Sequence, residues 1–321
     1  MRRGESRQVG AGRVAALLGI VILALVMVGC GREVGSAPAD IEGRQIRAVA
    51  TTGMVGDVAR NVGDERVAVT TLMGPGIDPH LYKASARDVE ALDEADILFY
   101  NGLHLEGRMT SIFERLSVTR PTVAVAEGIP AERLLRPPEF EGAWDPHVWF
   151  DVELWSYTID AVRDALVALD PAHAATYHAN ADAYRADLAA LDAWVADRVA
   201  TISANSRLLI TAHDAFGYMG AAYGLEVRGL QGASTATEAG AADVRGLADL
   251  IVERRIKAIF VESSVPKATI EAVQAAVRAR GHEVTVGGQL FSDAMGGEGT
   301  PEGTYVGMVR HNVETIVSAL R

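Results

Sequence analysis

One cysteine in 321 residues leaves no partner for an internal disulfide and no thiolate set for a metal. Any ion this chain binds is therefore held by nitrogen and oxygen. Basic side chains are also in short supply: Lys and Arg number 30 against 42 Asp and Glu, a formal net charge of −12. Nucleic acid is excluded as an expected partner, because binding it relies on basic surface to displace counterions. No paired CxxC and no HExxH is present, and the glycine-rich GGEGTPEG run lacks the GK[ST] ending of a phosphate loop. The longest apolar stretch, Val14 to Val28, falls short of the roughly 20 residues that a membrane-spanning helix needs.

That stretch is read as the core of an export signal. Arg2, Arg3, Arg7 and Arg13 precede it and Gly29-Cys30 follows. Cys30 sits where bacterial lipoproteins are cleaved and lipidated, although Met27 stands where that pattern usually has leucine. Residues 1–29 are thus expected to be a signal peptide, and residues 30–44, rich in glycine, alanine and charge without periodicity, a tether. Removing the leader's net +3 leaves the mature chain at −15, an acidic surface that keeps it soluble.

About half of the residues are apolar, enough for two domains of ordinary size. From IRAVATT at Ile46 onward, buried strands alternate with helices through Ala126, which argues for a doubly wound α/β lobe. A helix is expected over Val152 to Leu169. Asp170-Pro171 then reads as an N-cap and first helical residue, opening an uninterrupted helix of about 30 residues, on the order of 45 Å long. Along it Tyr177, Tyr184, Leu188, Leu191, Val195 and Ile202 recur at three-and-four spacing or its multiples. A second α/β stretch follows, with strands at Leu208–Thr211, Lys257–Val261 and Glu283–Val286, helices at Asp214–Tyr223, Lys267–Arg280 and Tyr305–Leu320, and Thr235-Ala-Thr-Glu238 resembling a capping box for a helix to Arg254. The expected fold class is therefore α/β, two doubly wound lobes (45–169 and 204–321) joined by one long rigid helix (170–203), with a site in the cleft between them.

Against this background the eight histidines are unevenly placed. IDPHLYKAS and WDPHVWFD each set a histidine, His80 and His147, directly behind Asp-Pro. Proline fixes its own φ and pushes the preceding residue toward an extended backbone, so each triplet is a stiff turn. Taken singly, such a turn is equally an ordinary loop with histidine as a passenger. TAHDAFGYM puts His213 beyond a strand, and FSDAMGG puts Asp293 a few residues beyond another. In α/β lobes ligands collect at the carboxyl ends of strands. Three imidazoles and a carboxylate there suit zinc or manganese, though His213 could equally satisfy a helix start and Asp293 cap a loop. Glu262, ending a strand in FVESSV, is an alternative oxygen donor. Trp144 and Trp149 flank His147. His104 lies in a loop of the first lobe, His173, His178 and His311 on helices expected to be solvated, and His282 before a strand with no evident partner.

The stretches GPGIDPHLYKASARD, NGLHLEGRM, DPHVWFD, TAHDAFGYMGAAYGLEV, GLQGASTATEAG, FVESSV, LFSDAMG and GTYVGMVRHNVETI together resemble the TroA-like zinc and manganese solute-binding proteins of bacterial ABC transporters, over nearly the whole chain from Ile46 to Leu320. The resemblance implies that His80, His147, His213 and Asp293 are the metal ligands, that Zn2+ or Mn2+ is the transported ligand with one ion per chain, and that the long helix limits lobe closure. Some manganese-specific relatives carry glutamate at the position of His213, and the long histidine-rich loop of several zinc-specific relatives is missing here. It further implies no catalytic role, an ABC permease and its ATPase as partners, a membrane anchor through a lipid on Cys30, a monomer, and a place on the outer face of the cytoplasmic membrane or in the periplasm. Two other readings stay open at this point: a zinc-dependent hydrolase with the three histidines as ligands and Asp293 or Glu262 as base, and a surface adhesin on the same fold.

Overall fold

The computed structural model describes residues 1, 41–137, 140 and 142–321. The export signal, Cys30 and most of the tether lie outside the described residues. From Ile41 on, the described residues belong to one compact unit.

In its first half a four-stranded parallel sheet has the order β2-β1-β3-β4, built from β1 (Ile46–Ala50), β2 (Val67–Thr71), β3 (Ile97–Tyr100) and β4 (Thr122–Ala124). The register pairs Ile46 with Val67, Ala48 with Ile97 and Leu98 with Thr122. β1 and β3 are nearly all buried apolar residues, as a strand covered on both faces must be. Helices α1 (Gly53–Gly63), α2 (Ala86–Glu94) and α3 (Thr110–Ser117) connect them. Ser85 and Asp88 form a reciprocal capping box at the start of α2. The second half holds two parallel strand pairs, β5 (Leu208–His213) with β6 (Glu226–Gln231) and β7 (Ala258–Glu262) with β8 (Thr285–Leu290). Its helices are α7 (Gly217–Tyr223), α8 (Ala241–Arg254), α9 (Ala268–Arg278) and α10 (Tyr305–Leu320).

Between the halves run α4 (Val152–Trp155), α5 (Tyr157–Leu169) and the 27-residue α6 (Ala174–Ala200). The buried stripe of α6 is Tyr177, Ala181, Tyr184, Leu188, Leu191, Val195 and Val199, the three-and-four spacing read in the sequence. Polar bonds fasten this rod on both sides. Tyr184 donates to Asp57 at 2.6 Å and Asn180 to the Val62 carbonyl on α1, while Tyr223 of α7 donates to Asp192 and Arg198 pairs with Glu314 of α10. One cluster of buried side chains, from Ala48 and Met54 through Tyr184 and Leu188 to Phe216 and Val313, runs across the whole unit.

Three expectations are corrected, and one strand is added. The helix expected over 152–169 is broken at Ser156, whose hydroxyl donates to the Glu153 carbonyl, the competition of a hydroxyl for backbone acceptors. Asp170 and Pro171 do stand at the N-cap and first position of the long helical run, but its first turn, Pro171–His173, is 3-10, and the Asp170 side chain caps nothing, taking instead Arg66 at 2.7 Å, Tyr177 at 2.9 Å and His173 at 2.9 Å. Thr235 and Glu238 do not open α8; the helix starts at Ala241, with the Gly240 N–H donating to Asp243. β6 was not anticipated at all. Its EVRGLQ carries Gly229, where a Cβ would lie 2.4 Å from the Asp214 nitrogen, so close packing against β5 demands the residue that weakens the strand signal.

Candidate metal centre

His213 is the last residue of β5 and Glu262 the last of β7, while Asp293 lies three residues past the end of β8. His80 stands in the loop between β2 and α2, and His147 immediately before a 3-10 turn at Val148–Phe150. All four histidine and aspartate side chains converge. Each of His80, His147, His213 and Asp293 offers one donor atom, and these atoms lie within 4.8 Å of one another. His147 Nε2 is 3.3 Å from His80 Nε2 and 3.4 Å from Asp293 Oδ1, and His213 Nε2 is 3.3 Å from Asp293 Oδ2.

The surroundings fix which nitrogen faces the centre. Asp145 Oδ1 lies 2.7 Å from His147 Nδ1, and Glu262 Oε2 lies 2.5 Å from His213 Nδ1. With each Nδ1–H donated to a carboxylate, the Nε2 lone pair of both rings points inward, ready for a cation. Both oxygens of Asp293 and the Nε2 of His213 are buried without a hydrogen-bond partner. Buried polar atoms left bare are costly, and an ion at their common focus is the group that satisfies all three at once.

Electrostatics separates the histidines. Burial depresses His80, and the neighbouring His147 and His213 rings add to this against the pull of Asp293, bringing it down to about 3. Burial also pushes His147 down, but Asp145 and Asp293 beside it outweigh that and raise it to about 9. His213 is likewise raised, burial being overcome by Asp293 and Glu262. Burial opposes ionisation of Asp293, yet His213 and His147 hold its carboxyl well below the usual range. Each carboxylate thus stabilises a charge that a bound dication would supply instead.

His80 is 7% exposed, whereas His147, His213 and Asp293 are at most 1%. His80 forms part of the wall of a cleft of about 480 Å3 that also includes His104, Trp144 and Ala233. Trp149 is fully buried, packs edge-on to His147 at 5.2 Å, and donates from Nε1 to the carbonyl of Ser292, next to Asp293. Trp144 is half-buried beneath the Arg136 guanidinium. Among the other histidines, His104 is exposed at φ 64°. His282 Nε2 meets the Ile256 carbonyl, and His311, half-buried rather than solvated, packs on Phe291 and meets the Gln289 carbonyl. Sequence reasoning missed the role of the carboxylates behind the rings: Glu262, read as an alternative oxygen donor, lies behind His213 and is not among the four converging donors. Asp145 was legible as a turn former two residues before a histidine; Glu262 was legible as a strand-end carboxylate, but its pairing with His213, 49 positions away, was not.

A family model described as "ZnuA: Zinc-uptake complex component A periplasmic" matches residues 48–319. The chain belongs to this ZnuA family. The zinc-binding protein TroA of Treponema pallidum (strain Nichols) is 50% identical to it over 300 residues, spanning 93% of this chain and 96% of the relative. The manganese-binding lipoprotein MntA of Bacillus subtilis (strain 168) is 46% identical over 310 residues, spanning 96% and 100%. The solved periplasmic zinc-binding protein TroA from Treponema pallidum matches this ZnuA-family chain with a TM-score of 0.84 at 51% identity, covering 86% of this chain and 99% of that one. The two-lobed α/β architecture and the family resemblance read from the sequence motifs both stand on these matches.

Proposed function

We propose that this chain captures a divalent transition metal, zinc or manganese, outside the cytoplasmic membrane and hands it to an ABC permease driven by its ATPase, with His80, His147, His213 and Asp293 as the ligands. The observation that carries this reading is the set of four buried donors within 4.8 Å, three of whose atoms have no other partner. Three neutral nitrogens and one carboxylate give a shell of net charge −1 against a dication, and four protein ligands fill a tetrahedral zinc shell. A hydrolase would keep an open position and a free base; Glu262 is spent on His213, accepting from both its backbone N–H and its ring. Nitrogen-rich donors bind zinc more tightly than manganese by the Irving-Williams order, so affinity alone does not name the cargo.

The same proposal assigns residues 1–29 to a signal peptide, Cys30 to the lipidated residue, 30–44 to a tether, 45–169 and 204–321 to the lobes, and 170–203 to the connecting helix, acting as a monomer. Among the described residues no helix is long and apolar enough to cross a membrane, which fits attachment by lipid. The deciding measurement is elemental analysis of the protein isolated from its native membrane, paired with growth under zinc or manganese starvation. One equivalent of zinc or manganese is expected. Metal-free protein that also fails to take up either ion on dialysis would overturn the reading.

A further inference from the structure

The two Asp-Pro-His triplets share one local device. In each the aspartate Oδ1 accepts the backbone N–H of the histidine two residues on, at 2.8 Å for Asp78 and His80 and 3.0 Å for Asp145 and His147, an Asx turn. They part company at what else the carboxylate holds. Asp145 grips its own histidine's ring. Asp78 reaches instead across the cleft, where its Oδ2 accepts the hydroxyl of Thr235 at 2.5 Å from the loop between β6 and α8.

Among the described hydrogen bonds none reaches Nδ1 of His80, so its ring takes its position from the backbone and not from a carboxylate behind it. Its backbone is held by Asp78, and Asp78 by Thr235. Thr235 is 8% exposed in a loop whose neighbours Ser234, Ala236, Thr237 and Glu238 are all exposed, so its burial records this docking. Close to it, Gly76 at φ 72° brings the same first-half loop against the second half, where a Cβ would lie 3.3 Å from the Ser263 carbonyl.

We propose that the Asp78–Thr235 hydrogen bond is a latch across the cleft that sets the rate of metal release by fixing His80, the ligand on the cleft wall. This rests on the metal-capture reading above. Thr235 is a positioning residue: it touches no ligand atom, and its effect passes through Asp78 to the backbone of His80. A metal leaving by the cleft must lose His80 first, and His80 moves only when the latch opens.

The test uses the full chain in detergent, loaded with Zn2+ and mixed with excess chromophoric chelator in a stopped-flow instrument. Thr235→Val is expected to raise the Zn2+ dissociation rate roughly tenfold, the loss of one hydrogen bond to a charged acceptor, with the association rate changed less than about twofold. Thr235→Ser, which restores the hydroxyl, should return the rate to within about twofold of the parent. The Co2+-loaded forms should have the same visible absorption, since the four ligands remain. An unchanged dissociation rate in Thr235→Val, a serine variant no better than valine, or an equal fall in the melting temperature of the metal-free valine variant overturns the latch. If the parent chain itself binds no Zn2+, the capture reading fails instead, so the two failures are distinguishable.

Discussion

The segment from the triplet at residues 145–147 to Val152 is built into the second half of the molecule, while the segment around the triplet at 78–80 only touches it. Tyr218 of α7 donates to the Asp145 carbonyl at 3.0 Å, Trp149 to the Ser292 carbonyl, Tyr305 to the Trp149 carbonyl at 2.7 Å, and Tyr223 accepts the N–H of Val152. The second triplet itself supplies one of these, at Asp145, and the residues behind it the rest; among the described residues the first triplet crosses by the Asp78–Thr235 bond, with none from the residues behind it. Identical local sequence therefore serves two mechanical ends. One histidine is preorganised together with His213, and the other completes the shell from a loop. A repeated motif specifies a turn; what the turn is fastened to decides its use.

The strongest way to break this contrast is to delete each ring in turn. His147→Ala should lower zinc affinity by roughly two to three orders of magnitude, a quarter share of the free energy of a four-ligand zinc site. His80→Ala should cost less, because His147, His213 and Asp293 keep their geometry. Competitive titration against a chelator measures both, and equal losses would erase the distinction between the triplets.

Proton competition sharpens it next. His147 is raised to about 9, so below that pH the metal-free site carries a proton that the ion must displace, and apparent affinity falls by up to roughly tenfold per pH unit for that proton, about a hundredfold from pH 8 to pH 6. His80, lowered to about 3, is already neutral across this range and adds no slope. His147→Ala should flatten the affinity-against-pH curve by about one proton, and His80→Ala should leave it as it is. Calorimetric titration in buffers of different protonation enthalpy counts the protons released.

Changing the carboxylates gives the smallest effect. Asp145→Asn disturbs the hydrogen bond that orients His147 and should weaken zinc binding about tenfold to a hundredfold. Asp78→Asn keeps an oxygen for the His80 N–H and should cost less than about tenfold, appearing mainly in dissociation. The reverse ranking, read by the same chelator titration, would place the rigid half at residue 80.

Much of this was open to inspection in the chain itself. The alternation of buried strands with amphipathic helices and the stripe on α6 follow from periodicity, and the four converging side chains from loop position plus family motifs. The rest was hidden for physical reasons. β6 is disguised by Gly229, which tight backbone contact requires. The break at Ser156 depends on which carbonyl a hydroxyl captures. Thr235 sits in a sequence that reads as a capping box, and only the three-dimensional approach of Asp78 redirects its hydroxyl. Glu262 is adjacent to His213 in space because β5 lies beside β7, a neighbourhood no spacing rule announces.

The apolar interior that passes from β1 through α6 into α7 and α10 without interruption also bears on how such a molecule is made. Each half also has a cluster of its own, Val49 with Leu98 and Phe113 in the first and Leu208 with Ile259 and Val273 in the second, so each half can begin to collapse separately and the shared interior joins them into one cooperative unit when α6 docks.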